Sequence, residues 1–321
     1  MSLASLVVSG DRRALSRAIT SVENGDAGAR ELLEELYPRV GHARRIGFTG
    51  PPGVGKSTLV SELAKHWRSK NRTVGIVAVD PSSPFTGGAL LGDRIRMNSV
   101  GMDPGVFIRS MATRGALGGL ARATYDACDV LDASGKDIVM VETVGVGQSE
   151  IEIVRVADTT IVILSPESGD GVQAMKSGLM EIADVIVINK ADRAGADALE
   201  SSIRSSFELS TSRRAPAIVQ TAAATGKGIA EAASTIEAHT EKMERDGTLR
   251  DHRAARLRFR IARLVEEALS RRLAHDPAAA AWLEGRVEDV LAGKLTPGDA
   301  AEEVLDRLTL GTPRRAARLA R

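Results

Sequence analysis

Residues 50–58 read GPPGVGKST, after a short apolar run from Ile46 to Thr49 and ahead of a stretch with helical character. Gly50, Gly55, Lys56 and Ser57 match the pattern G-x-x-x-x-G-K-[ST], and Gly53 adds a further glycine inside it. Glycines in such a turn let consecutive backbone N–H groups point inward around phosphate oxygens. The helix opening near Lys56 adds its positive N-terminal end. Lys56 places a compact cation on the outer phosphates, and Ser57 offers a hydroxyl to Mg2+. A strand before the loop and a helix after it are the context this pattern requires. The stretch therefore predicts a bound nucleoside triphosphate at the end of a strand.

Outward from this loop, short β-branched runs alternate with longer helical stretches. The runs are RIGFTG, TVGIVAVD, DIVMVETVG, TTIVILS, DVIVINK and PAIVQT. Most are apolar without alternation, as expected of strands covered on both faces. Strand–helix–strand repetition implies a parallel sheet with right-handed crossovers, and ligands in such sheets sit beyond the C-terminal strand ends. The expected fold is α/β, a P-loop nucleoside-triphosphatase with a mostly parallel central sheet flanked by helices. Before it, Leu15, Ile19 and Val22 recur on one helical face, and Leu32, Leu33 and Leu36 follow the break at NGDAG. After it, Leu257, Ile261, Leu264, Val265 and Ala268 share one face of an arginine-rich helix. A final helix starts at TPGDA, where Thr296 caps, Pro297 fits the first turn and Asp299 completes a capping box. The expected organisation is an N-terminal helical segment over 1–44, the nucleotide domain over 45–240 and a C-terminal helical region over 241–321.

INKAD ends one of the buried strands, and Asn189, Lys190 and Asp192 match N-K-x-D. A carboxylate at Asp192 accepts from both guanine N1–H and the exocyclic amine, whereas adenine has an acceptor at N1 and no amine beside it. Sites built on such pairing reject the wrong partner by about 10⁴-fold. Lys190 can lay its aliphatic stem across the base. TAAATGKG follows the next strand, and Ala222 and Ala223 stand where GTPases usually carry Ser-Ala, a place whose similarity implies a backbone N–H contact with the guanine oxygen. The nucleotide is expected to be GTP or GDP.

Glu142 ends another strand in VMVETVG, with Gly145 three residues on. The carboxylate is placed to reach Mg2+ directly or through water, and the Gly145 N–H to sense the γ-phosphate. Asp80 ends AVD, and GGALLGDRIRM supplies Asp93 on a loop. A magnesium site needs few protein oxygens besides phosphate and water, so Asp80, Asp93 and Glu142 are candidates for that site and its attacking water. Val146, not glutamine, follows Gly145, and Gln148 is nearby. Slow intrinsic turnover, accelerated when a partner orders the loops, is the expectation.

Composition narrows the class. The 321 residues carry a net charge of +1, which gives no electrostatic case for nucleic acid or a membrane surface. No apolar run reaches the roughly 18 residues of a membrane span. Cys128 is the single cysteine, which rules out an internal disulfide and points to a reducing, cytoplasmic compartment. Aromatics make up 3%, so the core must be largely aliphatic. The N-terminus, MSLASLVVSG, reads as a first helix and not as a signal.

GPPGVGKST, AVDPSSPFTGGALLGDRIRM, FIRSMATRGALGG, VETVGVGQSE, GDGVQAMKSG and INKAD occur in order along the chain. Together they resemble the MeaB/ArgK-like P-loop GTPases, relatives of the methylmalonic-aciduria type A protein, over nearly the whole length. The resemblance implies a homodimeric GTP-hydrolysing chaperone of an adenosylcobalamin-dependent acyl-CoA mutase, chiefly methylmalonyl-CoA mutase, gating cofactor delivery and helping to reactivate the enzyme. It implies that Gly50, Pro52, Gly53, Val54, Gly55, Lys56, Ser57 and Thr58 bind GTP. Ser57, Asp80, Asp93 and Glu142 then serve the Mg2+ site or catalysis, with Lys56 and Gly145. The residues after Glu142, Gln148 included, form a switch, and Asp170, Gln173 and Lys176 match positions that carry mutase binding to the nucleotide. Gly171 and Val172 stand where the family more often has Glu-Leu, which bears on partner choice or coupling strength. The helical tail resembles a dimerisation arm; from the residues alone, the stripe from Leu257 to Ala268 equally fits a lid over this domain's own core.

Three other readings stand beside this one: a GTPase of metal insertion, an ATP-dependent transport-associated kinase, and a binding module that uses GTP only as a structural ligand. A GTPase of metal insertion would usually carry histidine-rich or C-x-C-C segments, but this chain has five scattered histidines. An ATP-dependent, transport-associated kinase is opposed by Asp192.

Overall fold

The computed structural model describes residues 1–80, 98–112, 122–143, 149–167, 178–208 and 215–309. Three helices come first: α1 (Leu3–Val8), α2 (Arg12–Asn24) and α3 (Ala29–Leu36). Asp11 caps α2 by accepting from the Ala14 N–H at 2.6 Å, and Gly25 ends it in a left-handed conformation. Next come β1 (Arg44–Thr49), α4 (Lys56–Ser69), β2 (Val74–Asp80), β3 (Val106–Ala112), α5 (Arg122–Ala133), β4 (Ile138–Thr143) and β5 (Thr159–Leu164). Then come β6 (Val185–Ile188), α6 (Ala196–Glu208), β7 (Ala217–Gln220) and α7 (Ile229–Asp246).

The seven strands form one sheet in the order β3-β2-β4-β1-β5-β6-β7, with every pairing parallel. Each apolar run expected from the sequence is a strand. The seventh, β3, was not anticipated. It lies at the sheet edge, where Ile108, Arg109 and Ser110 are only half-buried, so its sequence lacks the continuous apolar character of an interior strand. Arg109 on β3 pairs with Glu23 of α2. By contrast, β4, β5 and β6 are buried at every residue.

Both sheet faces are covered. Leu15, Ile19, Val22, Leu32 and Leu36 of the N-terminal helices share a core with Val77, Val79, Met111, Val139 and Val141 and with α5, where Cys128 is buried. Against the opposite face, Leu59, Leu63 and Trp67 of α4 and Ile236 of α7 meet Ile46, Phe48, Ile76 and Met140. The two N-terminal stripes are thus core residues, with Leu33 partly buried against them. At about 25 cal/mol per Å2 of apolar surface removed from water, this burial is the main favourable contribution to folding.

An ionic knot ties the N-terminal strand ends. Arg45, 8% exposed, reaches Asp129 at 2.7 Å and Asp132 at 3.2 Å. Burial alone would lower the Arg45 pKa, but the neighbouring carboxylates, Asp129 foremost, hold it raised. Asp132 also accepts the backbone N–H groups of Gly41, His42 and Ala43 at 2.8–3.1 Å. Asp158 takes the Arg45 N–H at 3.0 Å and two contacts from Arg253 at 3.0 and 2.8 Å.

The chain divides into two compact units, Met1–Arg253 and Ala254–Arg321. The second contains most of α8 (Thr248–His275), with α9 (Pro277–Leu291) and α10 (Pro297–Thr309). The capping box at α10 forms as expected. The Asp299 N–H donates to Thr296 Oγ1 at 3.2 Å, and Thr296 Oγ1 donates to Asp299 Oδ2 at 2.7 Å. The guanidinium groups of Arg286 and Arg307 each lie over the Trp282 ring, at 5.3 and 5.4 Å from its centroid. Leu257, Ile261 and Val265 on α8 are 42%, 60% and 52% exposed. A mostly apolar groove of about 460 Å3 runs between Leu273, Leu283, Val290, Val304 and Leu308.

Candidate nucleotide site

From β1 the chain leaves by α4 to β2, on the far side of β4, and from β4 it crosses to β5 on the other side of β1. Connections thus diverge around the C-terminal ends of β1, β4 and β5, the position at which open parallel sheets bind ligands. The loop 50–55 starts from β1 at this point.

Two glycines in the loop are obligatory for steric reasons. Gly50 has φ +140°, and a Cβ there would lie 2.1 Å from the Ile163 carbonyl oxygen of β5. Gly55 has φ +91°, and a Cβ there would lie 2.5 Å from Asn189 Nδ2. Gly55 also begins α4, whose first-turn N–H groups at Lys56, Ser57 and Thr58 face the loop end. Lys56 is 7% exposed, and its ammonium donates to the carbonyls of Gly50 at 2.8 Å and Pro51 at 2.9 Å. The cation is therefore held inside the curve of the loop, where it can meet a phosphate oxygen. Val54 is buried, whereas Pro52 and Gly53 are exposed on the loop.

Ser57 Oγ donates to Glu142 Oε1 at 2.6 Å. Glu142 is 5% exposed and sits opposite Phe48 in the β1–β4 register, so the parallel pairing itself brings it to the phosphate loop. A hydroxyl and a carboxylate in contact at a helix N-terminus form an all-oxygen donor set, which suits Mg2+. Among the described residues no group of three or more His, Cys, Asp or Glu side chains gathers as a metal cage. A magnesium ion that shares phosphate and water oxygens does not require one. Asp80 closes β2, its backbone opposite Ala112. Asp93, Gly145, Gln148, Asp170, Gln173 and Lys176 lie outside the described residues.

On the other side of the loop, Asn189 is 2% exposed and joins three segments. Its Nδ2 donates to the Val54 carbonyl at 2.8 Å. Its Oδ1 accepts from Thr221 Oγ1 and from the Ala223 N–H, both at 3.1 Å. Asn189 therefore fixes the phosphate loop to the turn after β7 and itself faces inward. Ala222 N–H donates to the Lys227 carbonyl at 3.0 Å. The N–H groups of Ala222 and Ala223, expected to meet a guanine oxygen, are thus both engaged within the protein, and a base carbonyl would have to displace one of these bonds. Lys190 follows in a left-handed conformation at φ 58°, and the Ala191 N–H donates to the Thr221 carbonyl at 2.9 Å. That reversal sends Lys190 and Asp192 outward, with their side chains 35% and 53% exposed. An outward carboxylate is what an incoming base edge needs.

The sequence did not single out Glu167. It lies just past the end of β5 and pairs with Lys190 at 2.9 Å and with Arg193 at 2.8 Å. The Lys190 hydrogen bond foremost, against an opposing push from burial and with the Arg193 and Lys190 charges behind it, holds its carboxyl below the usual glutamate pKa. Glu167 stands at the head of SPESGDGVQAMKSG, a stretch the resemblance reads as a switch, but the residues matched there are Asp170, Gln173 and Lys176. Thr221 was equally silent.

The family described as "Methylmalonyl Co-A mutase-associated GTPase MeaB" matches residues 15–278. A Pyrococcus abyssi protein named as a GTPase is 52% identical over 261 residues, 80% of this chain and 81% of its own. The mouse mitochondrial "Methylmalonic aciduria type A homolog" is 33% identical over 319 residues, 93% of this chain and 77% of its own. Among solved structures, a "LAO/AO transport system kinase" superposes with a TM-score of 0.71 at 26% identity, covering 96% of each chain.

Proposed function

This chain belongs to the methylmalonyl-CoA mutase-associated GTPase family and is a GTPase, and from that premise we propose that its GTP cycle serves an adenosylcobalamin-dependent acyl-CoA mutase. Methylmalonyl-CoA mutase is the foremost candidate, because the family description names it and similarity to the mouse homolog spans 93% of this chain. In this reading the protein gates delivery of the cofactor to the mutase and helps remove the inactivated form.

The observation that carries the nucleotide chemistry is the convergence of Lys56, the Ser57–Glu142 pair and the Asn189 turn around one loop. Lys56 and the first N–H groups of α4 hold the phosphates. Ser57 and Glu142, with Asp80 as a further oxygen donor, hold Mg2+, which when bound neutralises charge on the outer phosphates. Asp192 accepts from the guanine edge, and Lys190 covers the base. Val146 in place of a water-orienting glutamine supports slow turnover by the isolated chain.

The exposed Leu257, Ile261 and Val265 stripe and the apolar groove of the second unit support a homodimer through that unit. Light scattering at micromolar concentration tests it, and a monomer opposes it.

The functional test is GTP turnover by the purified chain, alone and with methylmalonyl-, isobutyryl- or ethylmalonyl-CoA mutase loaded with adenosylcobalamin. One of these mutases accelerates hydrolysis if the reading holds. Unchanged turnover with all three contradicts the mutase role, and equal use of ATP and GTP contradicts the base assignment.

A further inference from the structure

The turn that follows β6 carries three charges in four residues, Lys190, Asp192 and Arg193. A fourth charge arrives from a different strand end. Glu167 divides its two oxygens, Oε2 to Lys190 Nζ at 2.9 Å and Oε1 to Arg193 Nη1 at 2.8 Å. Arg193 Nε lies 3.8 Å from Asp192 Oδ2, beyond hydrogen-bond length. The four groups alternate in sign along the path Lys190, Glu167, Arg193, Asp192. Both cations of the turn are thus hydrogen-bonded to Glu167, and Asp192 is left with a long contact.

We propose that Glu167 is a positioning residue for guanine recognition: by holding Lys190 and Arg193 it keeps the Asp192 carboxylate open to the N1–H and exocyclic amine of the base. The inference rests on the assignment of Asp192 as the base reader. Its physical content is a competition for one acceptor. A guanidinium in bidentate contact with Asp192 would occupy the oxygens that the guanine edge must use. With Glu167 removed, the remaining carboxylate of the turn is Asp192, and Arg193 needs to close only about 1 Å to reach hydrogen-bond length. Lys190, released from its 2.9 Å contact, also loses the anchor that sets the direction of its stem. Pro166 supports the arrangement, because a Cβ on Gly195 would sit 3.5 Å from Pro166 Cβ, so the residues before Glu167 lie close against the end of the same turn.

The motif N-K-x-D does not contain this device. Glu167 is 22 residues before Asn189, and only the parallel pairing of β5 with β6 brings the two ends together. Nucleotide preference in this chain would then depend on a residue outside the recognised motif.

The test measures affinity for GDP and IDP, in the presence of Mg2+, for the full chain and three variants. IDP lacks the exocyclic amine, so the GDP-to-IDP ratio reports how far Asp192 engages the base edge. Glu167→Ala weakens GDP binding by about 3- to 5-fold, the range of an exposed ion pair, and narrows the GDP-to-IDP ratio. Arg193→Ala alone leaves GDP affinity within about 2-fold of the parent. The double variant Glu167→Ala/Arg193→Ala recovers most of the lost affinity and the ratio, because the competing cation is gone. Glu167 and Arg193 are exposed, so the variants retain the fold, which urea unfolding of each variant verifies. Undiminished GDP affinity in Glu167→Ala overturns the inference. So does a loss that the double variant fails to recover, which would assign Glu167 a role in loop structure alone. A parent protein with no GDP-over-IDP preference would instead overturn the Asp192 reading itself.

Discussion

Asn189→Ala should be far more costly than the loss of one side chain suggests. The amide satisfies the Val54 carbonyl, the Thr221 hydroxyl and the Ala223 N–H, at 2.8, 3.1 and 3.1 Å, at a position 2% exposed. Alanine leaves each of these groups without that partner. A buried polar group so stranded costs about 1–3 kcal/mol. Three of them give about 3–9 kcal/mol, and some relief comes as the Thr221 hydroxyl rotates and water enters the space vacated by the amide. The expected loss is about 3–5 kcal/mol, toward the lower end of that range. Thr221→Val removes only one donor to Asn189 and should cost about 1 kcal/mol. Urea unfolding monitored by Trp67 is the assay, in a Trp282→Phe background so that the fluorescence reports the first unit alone. Trp67 is fully buried, with its indole N–H on Glu237 at 2.7 Å, so its signal follows collapse of that core. GDP affinity should fall in parallel, since the phosphate loop and the turn after β7 lose their common tie. A stability loss below about 1 kcal/mol would refute the reasoning, because it would mean the three groups find other partners at little cost.

Ser57→Ala deletes the hydroxyl that meets Glu142 at 2.6 Å. It should lower GTP turnover at least about 10-fold and raise the Mg2+ concentration needed for half-maximal activity, read from magnesium titrations. Asp132→Ala strips the acceptor from three backbone N–H groups and one partner from buried Arg45, and should cost about 3–5 kcal/mol in urea unfolding. Burial pushes the Asp137 pKa up, but hydrogen bonds from the Thr73 N–H and hydroxyl and the nearby Arg72 charge more than offset this and leave it lowered. A depressed carboxylate stabilises the fold fully above the unfolded value of about 3.9, and that contribution is lost as pH falls through the folded value. The stability difference between the parent and Asp137→Asn should therefore be constant near neutrality and shrink in acid. A gap that persists unchanged through the acid limb would contradict it.

The sheet was largely legible because its interior strands are buried on both faces, and Val, Ile and Met fill them without alternation. β3 was not, because an edge strand carrying Arg109 and Ser110 does not differ in composition from a loop. Its pairing partner Glu23 is 86 positions away, a relation that local pattern cannot register. The site followed the same division. Lys56, Ser57 and Asn189 stand in motifs whose spacing is set by one strand, one loop and one helix. Glu142 was legible as a strand-end carboxylate, but its contact with Ser57 arises from the β1–β4 register. Glu167 and Thr221 act across strand ends and carry no local signature. Ala222 and Ala223 were expected beside the base from their place after the last strand. Their N–H groups, however, serve Lys227 and Asn189, a use that depends on where the Asn189 side chain points.

The central claim is that the Asp192 carboxylate reads guanine. Calorimetry of Asp192→Asn with GDP and with xanthosine diphosphate tests it most directly, because xanthine carries a carbonyl where guanine carries its amine and an amide can donate to it. The account predicts that GDP affinity falls at least about 10-fold while xanthosine diphosphate binding improves. Unchanged GDP affinity in this variant, with no gain for xanthosine diphosphate, would contradict it.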